Sequence, residues 1–418
     1  MKSGFALLAC AGALALALPS LALAQRTISL GGSGPADFPI PLDGAAPKGP
    51  SIDPATVQGL RSVHDYRPPE GVEFKVADFI SDNVRLTAQW FWAAKTEDAN
   101  VGAKRPTVIL APGWGATAAN MRQDAVDLAR AGYLVVLFDY RGWGDSDGRV
   151  MLTGQRPTAG GAFTGEVREL RGYIDPWEQA EDWFNAISYV AADPRVDADR
   201  IGVLGSDLSG GYVVYAAAHD PRIKALVSQV TRADLRPSRP YQLDPANLIA
   251  QANAVASAIA TGQQPYPAER ARTPGGQGGG QIGAPVGAKL LRWAPVDAAA
   301  DVTAPALFVL AQKEELFSNT ANGQLACERV QGPRKMVMVP GITHYGVYGA
   351  GRERAINAAI DWFDRYLKPA GAPTRVPVNR KEPERGACNP PPLPPAGEEK
   401  KDGSGVGHKA PPTSGRFN

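Results

Sequence analysis

The 418-residue chain is short of several things, and each shortage excludes a class of function. Three cysteines are too few for a disulfide framework, and no CxxC or HExxH pattern signals a zinc site. Neither sign of charge dominates. Lys and Arg number 44 against 42 Asp and Glu, a net charge of +2, so there is no basic footprint for nucleic acid. Past residue 24 no apolar run is long enough to span a bilayer. No glycine fingerprint sits between a strand and a helix, so no dinucleotide and no other cofactor is implied. The glycine run at 275–280 follows no strand and reads as a flexible linker. Histidine is scarce too. Chemistry that needs an imidazole base has four candidates: His64, His219, His344 and His408. What is present, 44% hydrophobic and 21% charged residues, suits a packed core.

The ends read differently from the middle. Residues 1–24 have the form of a secretory signal peptide: Lys2, an apolar run from Phe5 to Leu18, a break at Pro19-Ser20, then Ala22-Leu23-Ala24 as a small-x-small cleavage site. The expectation is a periplasmic or secreted protein without a stable membrane span once the signal is removed. Cys327 and Cys388 then remain and could pair in an oxidising compartment, pinning the tail to the body. Residues 25–59 read as an extended segment. Residues 369–418 are Pro-rich and poor in large apolar side chains, so they read as a disordered tail. About 60–368 is left to build one domain.

That middle alternates strands with helices. Val84–Trp90 alternates with period two, as a half-buried strand does. Thr107–Ala111, Tyr133–Asp139, Arg200–Leu204, Ile223–Val230, Pro305–Leu310 and Lys335–Val339 are short runs bearing the apolar character of buried strands. Helical spacing covers Ala116–Ala131, Pro176–Ala192, a segment from Ser209, and Ala355–Leu367. The expected fold class is therefore α/β, a mostly parallel sheet with helices on both faces and ligands at the carboxyl ends of the strands. Between the fourth and fifth buried runs an insertion, about 231–300, holds one helical segment, Pro245–Ile259, and reads as a lid.

One turn carries the chemical signal. Gly205-Ser206-Asp207-Leu208-Ser209-Gly210-Gly211 follows a buried run and opens a helix, the setting of a nucleophile elbow. With Leu110-Ala111-Pro112-Gly113-Trp114-Gly115, Phe138-Asp139-Tyr140-Arg141-Gly142-Trp143-Gly144-Asp145-Ser146 and Pro340-Gly341-Ile342-Thr343-His344, it makes four ordered segments. On these the chain resembles the α/β-hydrolase superfamily, in particular the bacterial esterase and acyl-peptidase group related to dienelactone hydrolases. That group usually has Ser at the centre of the elbow. Here Gly205 and Ser209 take the small positions and put Asp207 at the centre, with Ser206 and Ser209 as alternative nucleophiles.

The resemblance implies the other roles by chain order. The acid belongs just past the strand ending at Leu310, where Glu314 is the first choice and Glu315 the second. The base belongs after the last strand, at His344. The oxyanion hole belongs to the N–H of Leu208 and that of Trp114 or Gly113, since Pro112 has none. An aspartate attacking an acyl carbon would form an anhydride, a poor intermediate. Attack on an sp3 carbon, displacing halide or opening an epoxide, leaves an alkyl ester that His344 and water can hydrolyse. The leaving atom needs a donor, for which Tyr241, Tyr266, Trp143 and Trp114 are available. Three readings stand at this level: an exported hydrolase of a small epoxide- or haloalkane-type substrate; a serine-type hydrolase of an ester or amide; and a non-catalytic binding protein on the same fold. Oligomeric state has no signal in the sequence.

Overall fold

The protein is described from a computed structural model. The described residues are 63–94, 103–155, 158, 160–236, 245–261, 284–285, 289, 291–375 and 388, with 28–29 and 39–40 as a short antiparallel pair. Eight strands form the central sheet: β1 (Val72–Ser81), β2 (Val84–Ala93), β3 (Arg105–Ala111), β4 (Leu134–Phe138), β5 (Val196–Ser206), β6 (Ile223–Gln229), β7 (Ala306–Lys313) and β8 (Arg334–Thr343). Their spatial order is β8-β7-β6-β5-β3-β4-β2-β1. β1 and β2 form an antiparallel hairpin and β2 pairs antiparallel with β4, while every other pairing is parallel.

Helices cover both faces. Among the described residues the α-helices longer than four residues are α1 (Arg122–Arg130), α2 (Pro176–Ala191), α3 (Leu208–His219), α4 (Pro245–Ala260), which lies in the insertion, α5 (Gly323–Arg329) and α6 (Arg352–Tyr366). Successive strand residues point to opposite faces, and the two cores follow that rule. Ile109, Val203 and Phe308 pack with Trp183 and Ile187 of α2 and Val213 of α3. Val108, Leu204 and Leu307 pack with Leu128 of α1 and Ile356 and Phe363 of α6. This double covering explains the unbroken apolar runs. It also corrects the half-buried reading of β2: from Leu86 to Trp92 every residue is buried, because both faces of that strand are covered.

Several elements had no clear sequence signal. β1 is a solvent-facing edge strand of mixed polarity, and the small hairpin of Arg149–Leu152 with Val167–Leu170 is largely exposed. Helix α5 is only seven residues long. Of the insertion, α4 is described, but 237–244 and 262–283 lie outside the described residues, and with them Tyr241 and Tyr266. At the other end, Arg375 donates its backbone N–H to Asp364, and its side chain pairs with Asp361 on α6. Cys388 is joined to Cys327 of α5 by a disulfide. The segment read as a disordered tail is thus fastened to the body at two points, while 376–387 and 389–418 lie outside the described residues. No helix among the described residues is long and apolar enough to cross a membrane.

Candidate active site

The carboxyl ends of β3, β5, β6, β7 and β8 converge on the turn between β5 and α3. Asp207 stands at its apex with φ 54° and ψ −119°, a left-handed backbone that a non-glycine residue adopts at a cost of about 1–3 kcal/mol. Its backbone is held on both sides, by N–H donation to the Gln229 carbonyl and by acceptance from the Arg232 N–H, so the strain is over-determined by neighbours. The small residues are required by close approach. A Cβ on Gly205 would lie 2.2 Å from the Ser209 carbonyl oxygen, and one on Gly113 would lie 2.8 Å from Asp207 Cβ.

The three residues assigned by chain order come together. Asp207 is 5% exposed and His344 2%. His344 Nε2 lies 3.8 Å from Asp207 Oδ1, and its Nδ1 lies 3.0 Å from both oxygens of Glu314. Glu315 is used as well, accepting the His344 backbone N–H at 2.6 Å. One glutamate therefore orients the ring and the next one fixes the loop. Burial disfavours the imidazolium, but the charges of Glu314, Asp207 and Glu315 and the Glu314 hydrogen bond outweigh it and hold His344 above its ordinary value of 6.5.

The two carboxylate oxygens of Asp207 differ. Oδ2 accepts the Trp114 N–H at 2.9 Å, so the expected hole donor on the β3 side is in place. The Leu208 N–H, the other expected donor, makes no hydrogen bond to this carboxylate. Oδ1 is buried and has no hydrogen-bond partner. One oxygen is thus tied down and the other has an uncommitted lone pair facing the base.

The alternative serines are hydrogen-bonded to tyrosines. Ser206 Oγ is 2.5 Å from the Tyr348 hydroxyl, and Ser209 Oγ is 2.8 Å from the Tyr140 hydroxyl, which in turn accepts the Trp183 indole N–H. Trp143 is buried and lines a narrow crevice with Trp114, Tyr140, Leu208 and Tyr212. Sequence reasoning missed two residues at the site, Arg232 and Tyr345. Burial and the Asp207 and Glu315 charges push the Tyr345 hydroxyl up to about 12, so it stays protonated and can donate. Its position beside the base in the sequence was the only available signal. Among the described residues no cluster of His, Cys, Asp and Glu could hold a metal ion.

Sheet order, elbow and base loop together define an α/β-hydrolase. Comparison with known proteins agrees. Residues 82–278 match the family described as X-Pro dipeptidyl-peptidase (S15 family). An uncharacterised 31.7 kDa protein of Escherichia coli is 26% identical over 284 residues, 63% of this chain and 92% of that protein. A quorum-quenching protein of Acinetobacter baumannii is 31% identical over 158 residues, 37% of this chain and 43% of that one. Among solved structures, a hypothetical protein of Pseudomonas aeruginosa superposes with a TM-score of 0.56 at 18% identity, covering 72% of this chain and 96% of that one. An α/β-hydrolase of Penicillium gives 0.53 at 20%, covering 71% and 99%. The fold is that of an α/β-hydrolase, and the matched peptidase family supports a hydrolase.

Proposed function

We propose that the protein hydrolyses a small substrate at an sp3 carbon through an alkyl ester on Asp207. The observation that carries this is the elbow carboxylate itself, with Oδ2 on the Trp114 N–H and an unpaired Oδ1 3.8 Å from His344 Nε2. In the first step an Oδ1 lone pair forms the C–O bond while the carbon–halogen bond breaks and halide leaves with its electron pair. For an epoxide the ring C–O bond breaks, and the oxygen takes a proton from a donor such as Tyr345. In the second step His344 Nε2 accepts a proton from water as the water oxygen attacks Cγ of the ester. The oxyanion forms at the oxygen already held by Trp114. Collapse expels the alkoxide, which takes the proton back from His344. Asp207 is regenerated carrying one oxygen from water, and in the halide case one proton passes to solvent.

The test is a single turnover of a haloalkane or epoxide in 18O-water, followed by digestion and weighing of the elbow peptide. One heavy oxygen in the peptide containing Asp207 is expected. An unlabelled peptide after complete turnover excludes the ester.

The matched peptidase family favours a second reading, hydrolysis of an ester or amide with Ser206 or Ser209 as nucleophile. Each hydroxyl is hydrogen-bonded to a tyrosine and neither to His344. An acyl oxyanion would also have to displace Asp207 Oδ2 to reach the Trp114 N–H.

The same proposal takes the chain as exported, which the Cys327–Cys388 disulfide supports, and the insertion around α4 as a lid over the strand ends. His344 supplies a further check. In resting enzyme its ring should titrate above 6.5 by NMR, because the carboxylates favour the charged form. Glu314→Gln should lower that midpoint more than Asp207→Asn does, since Glu314 supplies both charge and a hydrogen bond. The ester-hydrolysis step should slow on acidification as the base form is lost.

A further inference from the structure

Past the end of β6 the chain turns sharply at Val230, whose φ of 39° is unusual for a β-branched residue. Thr231 then bonds Ser228, and Asn322 accepts the N–H groups of Ala233 and Asp234, fixing the segment. Between them, Arg232 donates its backbone N–H to the Asp207 carbonyl. Its side chain is only 7% exposed. The guanidinium lies 5.3 Å from the centre of the Trp114 ring and 5.6 Å from that of Phe317. Trp114 supplies the hole donor, and the Phe317 ring is 5.4 Å from that of His344.

What the guanidinium lacks is an acceptor. Among the described residues no carboxylate lies within ion-pair distance and no oxygen accepts from it. Elsewhere in the molecule buried arginines are partnered. Arg141 is locked to Asp182, and Arg122 donates to Gln89. Desolvating a guanidinium without a bidentate partner is costly, and two aromatic contacts recover only part of that cost. Burial accordingly weakens its hold on the proton, opposed by the more distant charges of Asp207 and Glu314.

We propose that Arg232 is a substrate-binding residue that takes a carboxylate on the substrate, making this a hydrolase of small halo- or epoxy-carboxylic acids. The inference rests on the preceding section for the bond broken, but not for the binding. The planar fork of N–H groups matches two carboxylate oxygens. Asp207 and Glu314 act on Arg232, and with Glu315 they act on a His344 that favours its charged form; these three carboxylates outnumber the two cations, so the guanidinium fork has to hold the substrate anion locally and a second negative charge, as on phosphate, would be repelled.

The test uses matched pairs, 2-bromopropanoate against 2-bromopropanamide and glycidate against glycidamide. The full-length protein should prefer each acid in kcat/KM by on the order of 10²-fold, as for other buried charge pairs. Arg232→Gln should bring that ratio near one, with Arg232→Lys between. Equal kcat/KM for acid and amide in the native enzyme overturns the proposal. So does an Arg232→Gln variant that slows both members of a pair alike, which would assign the residue to the leaving group.

Propanoate, which has no leaving group, gives a readout independent of catalysis. It should raise the Tm of the native protein with the logarithm of ligand excess, propanamide should not, and the shift should vanish in Arg232→Gln. No shift with propanoate overturns the inference. Propanoate binding without 18O in Asp207 leaves Arg232 as an anion site and removes the alkyl-ester reading. Label from a neutral haloalkane without propanoate binding does the reverse.

Discussion

With His344→Gln, the enzyme is expected to release one equivalent of halide per site and then stop. Attack by Asp207 Oδ1 on carbon needs no base, because the carboxylate is already a nucleophile. Nε2 faces that oxygen from 3.8 Å, a position suited to deliver water in the step that follows. The amide cannot accept the proton from water, so the ester should persist. Steady-state turnover should fall by about 10⁶-fold, the scale on which loss of the base in a catalytic triad acts. The elbow peptide should gain the mass of the substrate's alkyl group. A variant with no burst and no mass gain would place His344 in the first step and so contradict the two-step scheme.

Asp207→Asn should be silent in both steps: no burst, no labelled peptide, and kcat/KM reduced by at least about 10⁴-fold, as when a triad nucleophile is removed. The fold should survive, because Asn tolerates positive φ better than most residues and the turn is held by Gln229 and Arg232. Thermal unfolding would verify this. Ser206→Ala and Ser209→Ala provide the contrast. Each removes a hydrogen bond to a tyrosine, with Tyr348 or Tyr140, and not one to the base. They should retain activity within about tenfold while losing roughly 1 kcal/mol of stability, the typical net worth of such a bond. Loss of activity in a serine variant with Asp207→Asn tolerated would establish the acyl reading.

The legible and illegible parts of the site separate on a physical line. Strands β3, β4, β6 and β7, with the second half of β5, were visible because residues buried on both faces leave few alternatives to apolar side chains. The edge strand β1 was not, since one of its sides faces water and its pattern is diluted by polar residues. The elbow was visible because its small residues are demanded by backbone approach, as the 2.2 Å clash at Gly205 demonstrates. In the unliganded site the Trp114 N–H, not that of Leu208, bonds the Asp207 carboxylate, a difference set by the path of the loop after β3. The choice between Glu314 and Glu315 had no local signal. Adjacent residues of the same type look alike until the loop's path gives one the imidazole and the other a backbone N–H.

The sequence by itself determined the layered fold, the unusual carboxylate at the elbow and the histidine that meets it, because these depend on short-range pattern and chain order. Only the tertiary structure decided which Asp207 oxygen is free, that both serines are engaged elsewhere, and that Arg232 reaches the site. Residues 114, 232, 317 and 344 sit on different strand ends, and nothing in local sequence records that five parallel strands bring those ends to one place. A guanidinium beside two aromatic rings is a fact about three loops at once. That it has no acceptor among the described residues is likewise a property of the packed loops and not of any one segment.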